Sequence, residues 1–380
     1  MEGRTMAVPV PDDMHALLTP PDAAEAALLM RGFRSASCEP GGPTQIQRLL
    51  FDAVTRAMTG FEVDIAASAP IGAEEFAGAL ARRNLAFRTR IVQIMVLGEL
   101  VLSPLPETVA ARVASFAAAL GVAEDLVRTA EEFAAGSLEL ASADFERNGY
   151  LQAAANASAL HSSHVLNQAW AAAPDDARLA ARWEALAELP PGTLGRRVHE
   201  FYESRGFVVP GRPGSAPPLL AQHDWVHVLA DYGTTVENEI EVFAFIARAS
   251  DDPQAFSLLA MVVSLFETGY LARGAGLFEA DRGHLARAGM TERLADALRR
   301  GALTPGSTDF LGLDWFALAD NPVTVVREKL ALPPKSAGAL RAGSVGPWQL
   351  GGISPFQLAA GQRMAEAAGR PYDSYGASAV

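Results

Sequence analysis

Apolar residues recur at helical spacing along most of the chain, and the segments with this pattern end at glycine or proline. Residues 108–120, for example, open after Pro106 and close at Gly121, the order that helices prefer. Residues 85–102 form a longer pattern with an apolar run at its centre. No stretch shows a convincing alternation of apolar and polar residues, which a half-buried strand would require. The sequence therefore predicts an all-α fold of helices joined by short loops.

The length of 380 residues is enough for two domains, and the break at Pro190-Pro191-Gly192 is the strongest boundary signal. Glycine, proline and small residues set both ends of the chain apart from the helical parts. We predict a largely irregular segment at 1–42, with a short helix at 21–31, and a helical domain at 43–180. A second helical domain is predicted at 185–335, followed by a glycine-rich tail at 336–380 with a short helix at 356–368.

The formal net charge of −13 argues against a nucleic-acid partner, because phosphate binding needs clustered lysine and arginine. The one cysteine, Cys38, cannot form an internal disulfide, which fits a reducing compartment. No apolar core of the signal-peptide type occurs near the start of the chain. The apolar runs at 91–102 and 256–266 are shorter than the roughly 18 residues of a membrane span. We expect a cytoplasmic protein without a transmembrane segment.

His223 and His227 stand four residues apart, so a helix places their side chains nearly above one another. Asp224 is offset from His223 by about 100° and still borders the same face. Two histidines at this spacing with an adjacent carboxylate are typical of a divalent metal site. We predict that His223, Asp224 and His227 are metal ligands.

Three glutamates in the helix that follows compete to be the fourth ligand. Gly233 fits the left-handed position that ends a helix, and Thr234 is expected to form a capping box with Glu237. Glu241 is expected to be a solvated charge. Glu239 falls on an apolar stripe, where an unpaired carboxylate is costly, so Glu239 is the predicted fourth ligand. The stripe consists of Val236, Ile240, Phe243 and Ala247.

Three segments carry a resemblance to a known family. They are Leu189-Pro190-Pro191-Gly192-Thr193-Leu194-Gly195-Arg196, then His-Asp-x-x-His with Glu after eleven further residues at 223–239, then Asp314-Trp315 with Pro322, Val326-Arg327 and Leu330. In these segments, and in their order over about residues 185–335, the chain resembles the coenzyme Q biosynthesis protein 4 family, which serves ubiquinone synthesis. Asn238 and Val323 depart from the family's pattern, which has glycine and leucine there. Separately, the turn at 119–126 is similar to that of TerB-like helical domains.

The resemblance implies a protein of quinone or prenylated-aromatic metabolism with a bound divalent metal. Zinc is the expected ion, and manganese or iron would suit the same nitrogen and oxygen ligands. Two roles are implied: metal-dependent decarboxylation, oxidative or not, of a polyprenylated hydroxybenzoate-type ring, or lipid-binding organisation of other quinone-biosynthesis enzymes. The implied partner is a prenylated aromatic or isoprenoid lipid. Peripheral contact with the inner membrane and a homo-oligomer are further expectations.

A prenylated ligand needs an apolar cavity beside the metal. A buried prenyl chain would gain about 25 cal/mol for each Å² of apolar surface removed from water. The predicted lining residues are Trp225, Phe243, Phe245, Met261 and Phe266.

Two other interpretations of the same residues stay open. The pair His223-Asp224 also fits HD-type phosphohydrolases, in which His199 upstream and either Asp281 or Asp314 downstream would be further metal ligands. That interpretation leaves His227 and Glu239 without a role. The second alternative is a non-catalytic helical scaffold that contains a buried polar cluster and binds no metal.

Overall fold

The computed structural model describes residues 21–102, 106–122, 176–213, 215, 218–249, 259, 263, 284–304 and 308–373. Within these ranges the chain forms thirteen α-helices and no β-strand, which confirms the all-α prediction. The α-helices are α1 (Ala23–Ser37), α2 (Gln45–Thr59), α3 (Ala73–Ala79), α4 (Leu85–Leu100), α5 (Glu107–Ala119), α6 (Ala177–Glu184), α7 (Leu194–Arg205), α8 (Pro218–Ala230), α9 (Val236–Ala249), α10 (Met290–Leu303), α11 (Val323–Lys329), α12 (Ala337–Arg341) and α13 (Pro355–Ala367). Two short 3-10 helices lie at Ala185–Glu188 and Trp315–Leu318.

The first five helices form a layer in which α1, α4 and α5 pack against one another. Helix α1 continues to Ser37, beyond the predicted end at Arg31, because Phe33 and Ala36 extend its buried face. Helix α2 begins at a capping box in which the side chains and backbone amides of Thr44 and Gln47 exchange hydrogen bonds. The helix predicted within the largely irregular segment 1–42 is thus present and longer than predicted.

Helix α2 also packs against α10, which connects this layer to the rest of the protein. The buried apolar residues of 21–122 and 176–332 accordingly form one connected hydrophobic core. The division into two domains and the TerB-like character of the first stay predictions, since residues 123–175 lie outside the described ranges.

The C-terminal residues fold onto α7, the neighbour of the helix α8 that carries three of the predicted metal ligands. Helix α13 starts within one residue of the predicted position, at a capping box formed by Ser354 and Gln357. It packs along α7, which in turn contacts α8. Residues 336–373 therefore form part of the framework around the site. No helix in the described ranges is long and apolar enough to cross a membrane.

Candidate metal centre

His223, Asp224 and His227 lie on one side of α8 and are completely enclosed, with exposed fractions of 1%, 0% and 0%. One potential ligand atom from each residue lies within 4.8 Å of the corresponding atoms of the other two. Histidine nitrogens and a carboxylate oxygen at such separations could hold a metal ion. The i, i+4 spacing thus produced the cluster that the sequence predicts.

Glu239 on α9 points at the two histidines from the opposite side. Its Oε2 atom lies 3.4 Å from Nε2 of His227 and 3.7 Å from Nε2 of His223. Burial alone would raise the pKa of Glu239, but the adjacent His227 and His223 outweigh it and hold the pKa well below its usual range. The carboxylate is therefore ionised inside the protein.

Two neighbours orient the ligand side chains. The hydroxyl of Tyr202 on α7 donates a hydrogen bond to Oδ2 of Asp224 over 2.5 Å. The Nδ1 atom of His227 lies 3.3 Å from the backbone carbonyl oxygen of Tyr232. If Nδ1 carries the proton and donates to this carbonyl, Nε2 of His227 presents its lone pair towards Glu239. This is the tautomer that a metal ligand requires.

The turn between α8 and α9 differs from the sequence prediction. Asp231, not Gly233, takes the left-handed conformation, with φ of 65°. Gly233 is needed for another reason: a Cβ atom there would lie 2.7 Å from Cα of Gly352. The backbone amides of Gly233 and Thr234 donate to the carbonyls of Val345 and Gly352 over 3.0 and 2.9 Å. The turn is thus closed by a segment more than a hundred residues downstream, which no local pattern indicates.

The start of α9 differs from the predicted capping box of Thr234 and Glu237: the helix begins at Val236, which places Thr235 at the N-cap position. The Thr234 hydroxyl hydrogen-bonds Gln357 and accepts a 3.0 Å hydrogen bond from Nε of Arg205. Glu237 instead faces His284, whose Nδ1 is 2.8 Å from its Oε1. Burial opposes ionisation of Glu237, but the hydrogen bond with His284 prevails and lowers the pKa to about 2. Tertiary partners from α7, from α13 and from the segment that precedes α10 override the local motif.

The prediction of a solvated Glu241 is wrong. Its exposed fraction is 1%, and its Oε2 accepts hydrogen bonds from Arg293 over 2.6 Å and from Asn238 over 2.9 Å. The reason is that α10 packs along α9, and all residues of α9 are buried. A helix enclosed on all sides has no single apolar stripe. Burial therefore does not distinguish Glu239 from the other glutamates of α9, whereas its position 3.4 and 3.7 Å from the two histidines does.

The residues required by the phosphohydrolase interpretation are not brought to this cluster. His199 lies on α7 and pairs with Glu203, with 3.4 Å between Nε2 and Oε2. The Asp314 side chain is 69% exposed and lies 3.6 Å from Arg182. Asp281 lies outside the described residues. The geometry does not support a site built from these residues.

The predicted pocket residues have different surroundings. Phe243 stacks on His223 with ring centroids 5.2 Å apart and so adjoins the cluster. Trp225 stacks on Trp315 with centroids 5.9 Å apart, and Phe245 packs against Phe310 at 5.1 Å. Met261 and Phe266 lie outside the part of the chain that the structure describes. The lipid pocket stays a prediction.

The first and third family-like segments meet each other beside α8, which carries three of the predicted metal ligands and is called the metal helix below. The amides of Leu194 and Gly195 donate to the carbonyls of Asn321 and Ala319, both over 2.8 Å. A Cβ atom on Gly195 would lie 2.9 Å from Cβ of Ala319, so this contact requires glycine. The three segments quoted above are therefore neighbours in space, with Trp315 packed against Trp225 of the metal helix.

Arg327 shows a role that sequence reasoning missed. Its Nε donates to the carbonyl of Leu229 over 2.6 Å and its Nη2 to the carbonyl of Val228 over 3.3 Å. These carbonyls belong to the last turn of α8, where helices leave acceptors unsatisfied and attract positive charge. The feature of the sequence that could have indicated this role is the position of Arg327 in the third family-like segment. Tyr202 and Arg205, which also brace the site, occur at positions that no motif marked.

No family model matches the chain, and no curated protein matches it. Among the solved structures that match is one of a candidate ubiquinone biosynthesis protein from Nostoc punctiforme. The alignment covers 65% of this chain and 97% of that one, with 21% identity and a TM-score of 0.28. A likeness at this level carries no argument about function, which has to be argued from the residues of the site.

Proposed function

We propose that His223, Asp224, His227 and Glu239 bind one divalent metal ion, with zinc as the expected ion. One observation carries the proposal: Nε2 of His227 and Oε2 of Glu239 face each other at 3.4 Å, and neither has a hydrogen-bond partner among the described residues. Leaving buried polar atoms unsatisfied is costly. A metal ion shared by the two atoms would satisfy both.

The separation fits a shared ion better than a direct contact. Two ligand atoms at about 2.0–2.1 Å from a tetrahedral zinc ion lie about 3.4 Å apart. A protonated histidine bonded to a carboxylate would instead approach to about 2.7–2.9 Å. The observed 3.4 Å between His227 and Glu239 matches the first value. This distance therefore favours a metal site over the metal-free scaffold.

The proposed activity is the metal-dependent decarboxylation of a prenylated aromatic acid in quinone synthesis. The support is the sequence resemblance in three segments, which the fold brings together around α8. A metal ion at this position would supply Lewis-acid stabilisation of negative charge that develops on the substrate. In the reaction the bond between the ring carbon and the carboxylate breaks, carbon dioxide leaves, and the ring carbon takes a proton from water. An oxidative form would also consume an external oxidant such as dioxygen.

The contribution of the chain's own residues is to orient the ligands and to exclude water. Tyr202 fixes Asp224, and the stacked ring of Phe243 covers one face of His223. All four ligand side chains are at most 2% exposed. In such a dry setting electrostatic interactions are stronger than in water.

The second candidate is a non-catalytic organiser of other quinone-biosynthesis enzymes around a bound lipid. It is favoured by the number of ligands, because structural zinc sites are closed by four protein ligands whereas catalytic sites keep a position open. His223, Asp224, His227 and Glu239 would complete such a set. As an enzyme, the protein would have to exchange one ligand or add a fifth.

The test combines binding and turnover. Elemental analysis of the purified protein, with mass spectrometry of co-purified lipid, identifies the ion and the ligand class. A stoichiometric metal is expected, and protein free of metal after purification without chelators and after incubation with zinc would refute the proposal. Turnover of a prenylated hydroxybenzoate by the isolated protein, lost when His227 is replaced by Gln, supports the enzyme. Full metal loading without turnover supports the organiser.

A further inference from the structure

A second buried polar cluster surrounds Tyr232, on the side of α9 that faces α10. The ammonium nitrogen of Lys335 lies 4.8 Å from the centre of the Tyr232 ring, and the guanidinium carbon of Arg300 lies 5.0 Å from it. Tyr232 and Arg300 are each 1% exposed, and the Lys335 side chain is 3% exposed. Two cationic side chains thus lie close to one aromatic ring inside the protein.

The positive charges of this cluster are incompletely paired. Arg293 forms an ion pair with Glu241 at 2.6 Å. Arg300 has no carboxylate within 4.0 Å among the described residues, and its Nε donates to the carbonyl of Pro333 over 2.9 Å. Lys335 has Asp231 at 3.9 Å, but the Asp231 side chain is 40% exposed and therefore hydrated. Among the described residues, neither Arg300 nor Lys335 therefore forms an ion pair with a buried carboxylate.

Three hydrogen-bond donors in the cluster also lack acceptors in the described part of the chain. They are Nη1 of Arg300, Nζ of Lys335 and the hydroxyl of Tyr232, all buried. Burial lowers the pKa of Lys335 to about 8, and the nearby Arg300 and Arg293 act in the same direction, while Asp231 and Glu241 oppose them. A buried ion without a partner costs several kcal/mol, so this arrangement calls for an acceptor.

We propose that Arg300, Lys335 and Tyr232 form a binding site for a phosphate-type oxyanion. Arginine presents a planar fork of donors that matches such an anion, and lysine adds a point charge. The tyrosine hydroxyl supplies a neutral donor. A tetrahedral oxyanion offers acceptors to several donors at once and neutralises the excess charge. A water molecule would accept hydrogen bonds from fewer donors and would neutralise no charge. Asp231, 3.9 Å from Lys335, is the member of the surroundings that reaches solvent.

This site is separate from the metal cluster. Glu239 and Glu241 differ by two positions on α9, which places their side chains about 200° apart around the helix. Tyr232 links the two sites through different atoms: its carbonyl lies against His227, and its ring lies near both cations. The anion site accordingly requires neither the metal nor the proposed activity.

The chain has two lysines, Lys329 and Lys335, which makes a direct test simple. Protein labelled with ¹³C at lysine Cε gives two side-chain signals, which Lys329→Met and Lys335→Met assign. Inorganic phosphate is added to the full-length wild-type protein at constant pH and ionic strength. We expect the Lys335 signal to shift saturably, while the signal of the exposed Lys329 stays in place. A Lys335 signal that ignores phosphate would overturn the proposal and leave ordered water as the partner of these donors.

Two further arms define the ligand and separate the site from the metal. Acetate at the same ionic strength tests a carboxylate, and a shift as saturable as that with phosphate would overturn the phosphate-type assignment. The titration repeated in His227→Gln is expected to be unchanged. Loss of the response there would place the phosphate on the metal cluster and refute a separate site.

Affinity measurements give the contribution of each donor. Lys335→Met keeps the length of the side chain and removes its charge, and we expect phosphate to bind about tenfold more weakly or worse. Tyr232→Phe removes a hydroxyl alone and is expected to weaken binding several-fold. Unchanged phosphate affinity in both variants, with circular dichroism showing intact folds, would contradict the assignment.

Discussion

The hydroxyl of Tyr202 and the carboxylate of Asp224 join α7 to the metal helix α8 through a 2.5 Å hydrogen bond between two buried side chains. Outer partners of this kind hold metal ligands in the correct orientation. Tyr202→Phe keeps the ring and its contacts with Trp183 and Phe207. We expect zinc affinity to fall about 10- to 100-fold, measured by competition with a chelator. Tyr372→Phe is the matched control, because Tyr372 donates to the carbonyl of Ser204 and touches no ligand. Equal affinity in the two variants would show that Tyr202 does not position Asp224.

A comparison of neighbouring glutamates tests the metal ligands. Glu239→Gln removes the carboxylate that faces both histidines, so we expect loss of most of the bound metal. Glu237→Gln removes an ion pair with Arg287 and His284, so it should lower the melting temperature but retain the metal. Elemental analysis and thermal unfolding distinguish the two effects.

His199→Gln extends that comparison to the phosphohydrolase interpretation. Because His199 pairs with Glu203, we expect the His199→Gln variant to have the same metal content as the wild type. Metal lost from His199→Gln and kept by Glu239→Gln would reverse the assignment. Metal kept by both of these variants and by His227→Gln would remove the site altogether.

Arg327 is expected to stabilise the protein through the end of α8. Arg327→Met deletes the donors to the carbonyls of Val228 and Leu229. We predict a loss of about 1–3 kcal/mol in the free energy of unfolding, measured with urea. Arg341→Met, at an exposed position in α12, serves as the control and should change stability by less than about 0.5 kcal/mol. A smaller effect for Arg327→Met than for the control would refute the role.

Gly233 is expected to tolerate no side chain. Gly233→Ala places a Cβ atom 2.7 Å from Cα of Gly352, which would push the 345–352 segment away from the turn. We expect destabilisation of about 1–3 kcal/mol, with faster hydrogen exchange at the amide of Thr234. Gly78→Ala in α3 meets open space and should stabilise by up to about 1 kcal/mol. If the amide of Thr234 exchanges its hydrogen at the same rate in Gly233→Ala as in the wild type, this account is contradicted.

The stability of the protein should rise with pH in the range set by Lys335. The pKa of Lys335 is about 8 in the folded protein, and its ordinary value of 10.5 applies to the unfolded chain. Between pH 8 and pH 10.5 the unfolded chain therefore binds more protons than the folded protein does. The cost of burying the charge is therefore present below pH 8 and is relieved as pH rises towards 10.5. In phosphate-free buffer at pH 7, Lys335→Met should be more stable than the wild type, by at most about 3 kcal/mol. This advantage should disappear near pH 10.5, as measured by urea unfolding at each pH. A constant difference across the range would mean that Lys335 does not titrate as described.

The sequence was sufficient for the parts of this protein that depend on local spacing. Four-residue spacing brought His223 and His227 together, and glycine and proline marked most helix ends. Interactions between distant segments were not accessible in the same way. Glu241 was predicted to be solvated because the sequence of α9 does not indicate that α10 packs against the face of α9 that carries Glu241. Tyr202 was overlooked because a tyrosine that reaches a ligand from another helix leaves no periodic signal.

The hydrogen bonds from Gly233 and Thr234 to Val345 and Gly352 also order events during protein synthesis. The turn between the two helices that carry the proposed ligands leaves the ribosome before its backbone acceptors exist, because the carbonyl that accepts from Thr234 lies 118 residues later. We therefore expect a metal ion to bind stably at the proposed site only after residue 352 has been translated. A nascent chain interrupted before that point carries all four proposed ligand residues but lacks the segment that closes the turn between their helices.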